Sequence, residues 1–157
     1  MKTLLIALDY DPTAQKVAET GFGLAREMKG QVYLLHVISD TVYYASRDYS
    51  PIMGFNGFMD LGTIRKDSSE GLTEAANQYL EKVRKHLGDE SVMILVREGD
   101  FTETILKAAK EVHADLIVIG SHSQKWLEKI VVGSVTEQVL NHSTIPVLVV
   151  PTRKRKS

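Results

Sequence analysis

Thr3-Leu4-Leu5-Ile6-Ala7-Leu8-Asp9 is a nearly continuous apolar run closed by an acid. A strand with one wet face alternates apolar and polar residues, so an unbroken run of this length describes a strand covered on both faces, the kind found in parallel sheets. Asp11-Pro12 follows as cap and first helical residue, and Ala14, Val17, Ala18, Gly21, Leu24, Ala25 and Met28 recur at helical spacing up to a stop at Gly30. Strand then amphipathic helix is half of a parallel crossover unit, and the remainder of the chain repeats it.

Val32 to Ile38 is the second strand, and Leu72, Ala75, Ala76, Tyr79, Leu80, Val83 and Leu87 form the apolar face of a helix that Gly88 ends. Val92 to Val96 is the third strand. Asp100-Phe101-Thr102-Glu103 has capping-box spacing ahead of a helix through Ile105, Ala108, Ala109 and Val112. Leu116 to Ile119 is the fourth strand, Ser134-Val135-Thr136-Glu137 opens the last helix, and Val147 to Val150 is the fifth strand. Strict alternation calls for right-handed crossovers and a doubly wound α/β fold: five parallel strands with helices on both faces, in the order 3-2-1-4-5 of the flavodoxin-like kind. Ligands of such sheets bind beyond the carboxyl ends of the strands, where the order reverses.

Composition narrows the function. The chain has 157 residues, 43% of them hydrophobic, a formal charge of −1 and no cysteine. That length suits one domain, expected over 1–151, with 152–157 as a basic tail. Balanced charge argues against nucleic acid and anionic membrane as partners. Absent thiols remove disulfides and cysteine-type zinc sites, and His36, His86, His113, His122 and His142 lack metal spacing, so no metal site is expected. The first apolar run is too short for a signal-peptide core or a membrane span, which makes the cytoplasm the expected location. Residues 39–68 are far longer than a normal connection and carry Tyr43, Tyr44, Tyr49, Met53, Phe55 and Phe58. They read as a lid or as an insertion packed on the flank.

Between the fourth strand and the last helix, Gly120 and Gly133-Ser134 flank a loop. Glycine after a buried strand permits close backbone approach, and Gly-Ser at a helix amino terminus presents N–H groups to an anion. The same residues also suit a strand end and a plain cap. No Gly-x-x-x-x-Gly-Lys-Ser/Thr loop and no Gly-x-Gly-x-x-Gly occurs. Ser121-His122-Ser123 offers a nucleophile and a base with Asp9 or Asp115 as orienter, but without a Gly-x-Ser-x-Gly elbow it supports no triad, and no catalytic residue is assigned.

Gly120, two residues, Ser123, nine residues and then Gly133-Ser134 resembles the nucleotide-binding loop of the universal stress protein family. The resemblance extends to Asp9 after strand one, His36-Val37 in strand two, Ala114 to His122, Gly133-Ser134-Val135-Thr136 and Pro146 to Val150. It implies an adenine-nucleotide alpha-hydrolase-like fold that binds ATP, AMP or ADP as a sensor or switch in stress response. A magnesium ion would then ride on the phosphates rather than on protein ligands. The implied contacts are Asp9 and Val37 at the adenosine, Gly120, Gly133, Ser134, Val135 and Thr136 at the phosphates with Ser123 in the same loop, and Ala7 and Ile119 as further nucleotide-binding positions. Nucleotide-binding relatives carry glycine where this chain has Ser123. A Cβ there costs affinity if the backbone must be bare, whereas the hydroxyl donates to a phosphate if it need not be. The alternatives are a nucleotide-free interaction protein and a slow ATPase. Homodimerisation through Val147 to Val150, and an unidentified protein partner, complete the expectation.

Overall fold

The computed structural model describes residues 2–10, 12–38, 69–121 and 134–152, the side chains of Ser69, Glu70 and Ser134 excepted. Its elements run β1 (Thr3–Ala7), α1 (Ala14–Met28), β2 (Gln31–Ile38), α2 (Ser69–Leu87), β3 (Met93–Glu98), α3 (Phe101–Glu111), β4 (Leu116–Gly120), α4 (Ser134–His142) and β5 (Val147–Val150). The five strands pair in parallel in the expected order β3-β2-β1-β4-β5. The expected insertion at 39–68 and the tail from 153 onward lie outside the described residues. No helix among the described residues is long and apolar enough to cross a membrane.

The period-2 geometry of a strand sends alternate residues to opposite faces, and the central strand shows this directly. Leu4, Ile6 and Leu8 enter one core with α1 and α2, while Leu5 enters the other with α3 and α4. Leu4, Leu5 and Ile6 are all inaccessible, which is why the run reads as unbroken apolar sequence. With β1 flanked by β2 and β4, the chain winds outward on one face through β3, crosses back by α3, and winds outward on the other face through β5.

The start of α1 departs from the sequence expectation, whereas its end falls just before Gly30 as expected. The first helix begins at Ala14 with Thr13 as cap and no side-chain capping bond, rather than at Pro12; Asp11, the expected cap, is outside the described residues. At its other end the left-handed residue is Lys29 (φ 54°), not Gly30. Gly30 is needed for another reason: its amide donates to Ala25 O at 2.8 Å, and a Cβ on it would stand 2.7 Å from Lys2 O. The Asp100 cap forms as expected, its carboxylate accepting from the Glu103 amide at 3.0 Å. Thr152, assigned from sequence to the tail, is instead buried, because its amide donates to Ser121 Oγ at 3.0 Å and extends the β4–β5 pairing. Pro151 O is held as well, by Lys16 Nζ at 2.7 Å.

One polar side chain sits inside the α1/α2 core. His36 is 2% exposed, and Nδ1 lies 2.8 Å from Leu8 O. A carbonyl only accepts, so Nδ1 carries a proton. Its Nε2 has no hydrogen-bond partner among the described residues. Burial accordingly pushes its pKa down from 6.5 to about 4, partly offset by the bond to Leu8.

Two outcomes follow from this packing. On α1, a Cβ at Gly21 would meet Ile6 Cδ1 at 2.6 Å, whereas one at Gly23 would meet nothing within 4 Å. Gly21→Val is therefore expected to destabilise by about 1–3 kcal/mol through overpacking. Gly23→Ala should stabilise by about 0.5–1 kcal/mol through helix propensity and reduced unfolded-state entropy. Urea denaturation of both variants reads the contrast, and equal shifts of the two would contradict it. The second concerns pH. Unfolded His36 takes up a proton below about 6.5 while the folded ring resists until about 4, so its contribution is intact above the higher value and lost as pH falls through this window. The loss amounts to about 3 kcal/mol. Denaturation across that range should show a shallower fall for His36→Asn than for the parent chain, and identical slopes would exclude the assignment.

Candidate functional site

Strand register brings the expected residues to one edge of the sheet. Ala7 is opposite Leu35 in β2, and Ile6 is opposite Val118 in β4. Just past β1 the Leu8 amide still donates to Leu35 O at 2.8 Å, while β2 continues to Ile38 and β4 to Gly120, so the residues after Ala7 leave the sheet beside the carboxyl ends of its two neighbours. The order reverses between β1 and β4, so this edge is the switch point of the sheet.

The sheet also sorts these residues by face. Val37 and Ile119 belong to the α3/α4 core, with Ala7 and Val135 packed against it. Val37 and Ile119 are each 4% exposed, which leaves main-chain atoms as the parts of these residues a ligand would meet. Asp9 lies two residues beyond β1, half-buried, and its carbonyl accepts from Tyr79 Oη at 2.9 Å.

The amino end of α4 is tied to the end of β4. Thr136 is fully buried, and its hydroxyl donates to Gly120 O at 2.7 Å. This bond satisfies a carbonyl at the end of a buried strand and fixes the first turn of α4 over it. It also commits the Thr136 hydroxyl, so an anion at this helix end would meet main-chain N–H groups and the positive end of the helix dipole. Ser134 begins the helix. Ser123 and Gly133 lie outside the described residues, as do His122, Lys125 and Lys129.

Beside Gly120, the Ser121 amide donates to Val150 O at 2.9 Å, and Ser121 Oγ lies 3.1 Å from Thr152 Oγ1. Ser121 thus serves the β4–β5 junction. Asp115 stands at the opposite end of the sheet from Ser121, where its carboxylate accepts from the Thr3 amide at 2.8 Å, which removes it as an orienter for Ser121. Sequence reasoning passed over Tyr79, His36 and Thr152. The aromatic and histidine positions match a core pattern, and only the fold shows that Tyr79 Oη and His36 Nδ1 reach main-chain carbonyls at this edge, while the Thr152 amide donates to Ser121 Oγ.

The sequence model of the universal stress protein family matches residues 1–151. Among curated proteins, universal stress protein MJ0577 of Methanocaldococcus jannaschii is 31% identical over 159 residues, covering 99% of this chain and 96% of its own. Universal stress protein YxiE of Bacillus subtilis is 30% identical over 148 residues, covering 94% and 97%. The solved structure of MJ0577 superimposes with a TM-score of 0.74 over 99% of this chain and 98% of that one. A universal stress protein solved in complex with cAMP shares the fold, with a TM-score of 0.62 at 16% identity over 97% and 98%. Fold, strand order and whole-length likeness agree: the chain belongs to the universal stress protein family.

Proposed function

We propose that the chain binds an adenine nucleotide, ATP or its AMP and ADP relatives, at the carboxyl ends of β1, β2 and β4, and acts as a sensor or switch in a cytoplasmic stress response. The observation that carries this reading is the Thr136 to Gly120 bond, which holds the first turn of α4 over the end of β4 on the face shared by Ala7, Val37 and Ile119. A helix amino terminus supplies N–H donors for phosphates, and the neighbouring strand ends supply main-chain groups for a nucleoside. Asp9 belongs at the nucleoside end, since a carboxylate accepts from ribose hydroxyls and repels phosphate. Gly120, Gly133, Ser134, Val135 and Thr136, with Ser123 beside them, would hold the phosphates. Magnesium, if present, would be carried by phosphate oxygens and water. Occupancy, rather than turnover, is the signal in this reading, and no described side chain is assigned a catalytic role.

Self-association through β5 is part of the proposal. The strand is at an edge of the sheet, and Val147, Leu148 and Val149 are only half-buried. An apolar edge strand of this kind is completed by a second copy.

Protein purified without added nucleotide and then denatured should release ATP, ADP or AMP detectable by mass spectrometry, and the stripped protein should bind ATP in a titration. Gly133→Val is expected to weaken ATP binding about tenfold or more, equivalent to about 1.4 kcal/mol or more. Absence of released nucleotide together with no binding by the parent chain would overturn the reading; recovery of binding in Ser123→Gly would then locate the cause in the loop. For the edge, sedimentation should show a dimer that Val149→Lys converts to monomer, and a monomeric parent chain would refute the interface.

A further inference from the structure

Just inside the crevice edge, on the α1/α2 face, Tyr10, His36 and Tyr79 form a buried cluster. The Tyr10 and His36 ring centroids are 4.1 Å apart, and Tyr79 meets Tyr10 edge-on at 4.9 Å. All three are at most 3% exposed. Phenylalanine or leucine would fill such a core without polar atoms to satisfy. Here the polar atoms have a common target. His36 Nδ1 donates to Leu8 O at 2.8 Å, and Tyr79 Oη donates to Asp9 O at 2.9 Å. The Leu8 amide is held too, donating to Leu35 O at 2.8 Å. Two consecutive carbonyls beyond the end of β1 are therefore gripped by side chains from β2 and α2, at the point where the chain leaves the sheet for α1.

We infer that Tyr79 and His36 are positioning residues: they set the main chain at Leu8 and Asp9 and so place Asp9 for the nucleoside end of the ligand. This rests on the nucleotide reading above. Beyond β1 the sheet no longer dictates the path of the chain, and a loop residue keeps one position only where its main-chain groups are tied down. Tyr79 acts from the far side of Asp9, through its carbonyl, and so leaves the crevice face of the sheet to the ligand. Its effect should fall on the nucleoside and spare the phosphates, whose expected contacts lie on β4 and α4.

Tyr79→Phe removes the hydroxyl and keeps the ring. Two readouts test it: carbonyl ¹³C resonances of Leu8 and Asp9 without ligand, and affinities for ATP, adenosine and inorganic tripolyphosphate. The Asp9 resonance is expected to move and the Leu8 resonance to stay. ATP and adenosine should bind about tenfold more weakly, with tripolyphosphate unchanged, a loss equivalent to about 1.4 kcal/mol. In an Asp9→Asn background Tyr79→Phe should add no further loss, the signature of two residues acting as one. His36→Asn places an amide donor near the Nδ1 position and should retain adenosine affinity, whereas His36→Leu should not. An unmoved Asp9 resonance, unchanged adenosine affinity, or an equal loss for tripolyphosphate would overturn the inference. Failure of the parent chain to bind ATP or adenosine would overturn the nucleotide reading and the nucleoside role with it; a moved Asp9 resonance in that case would still establish the grip on the main chain.

Discussion

Burial of β1 on both faces is the constraint on which the rest of the structure depends. A strand whose Leu4, Leu5 and Ile6 are all withdrawn from water needs a neighbour on each side for its main chain and a helical layer above and below for its side chains. Those requirements place β2 and β4 beside it, α1 and α2 on one face, and α3 and α4 on the other. They also make β1 the strand at which the winding reverses, so the crevice opens where its carboxyl end meets that of β4.

At that edge polar groups have to be settled without the regular ladder. Five side chains named above do so among the described residues: Thr136 at Gly120 O, Ser121 with Thr152, His36 at Leu8 O and Tyr79 at Asp9 O. A hydrogen bond in such surroundings contributes only about 1 kcal/mol net, yet leaving a buried carbonyl unpaired costs about 1–3 kcal/mol. The asymmetry favours one arrangement of the strand ends over its neighbours.

The family shared with MJ0577 and YxiE accounts for the frame along the whole chain. Within it, the particular residues of this chain divide the edge into two halves. The β4–α4 half is closed by the hydroxyls of Ser121, Thr136 and Thr152, and the β1–β2 half by Tyr79 and His36, whose partners Asp9 and Leu8 lie 70 and 28 residues away in the sequence.

Strand content and parallel pairing were legible in the sequence, because unbroken apolar runs and helical spacing report burial directly, and the order of the sheet was expected as a common arrangement of such folds. The Asp100 cap was legible for the same local reason, its partner amide being three residues away. Asp11-Pro12 carried an equally plausible local signal, yet α1 starts at Ala14, and Gly30 proved to be required by the carbonyl of Lys2 rather than by its own torsion. Asp9 and Gly120 could be placed together from sequence through their positions at strand ends, and Val37 was named through the family resemblance. That Thr136 closes on Gly120, 16 residues before it, and that Tyr79 reaches Asp9 across 70 residues, only the tertiary structure decided. Sequence spacing encodes which residues turn inward; the partners of their polar atoms are chosen by the register of strands and the seating of helices, which exist only once the sheet has formed.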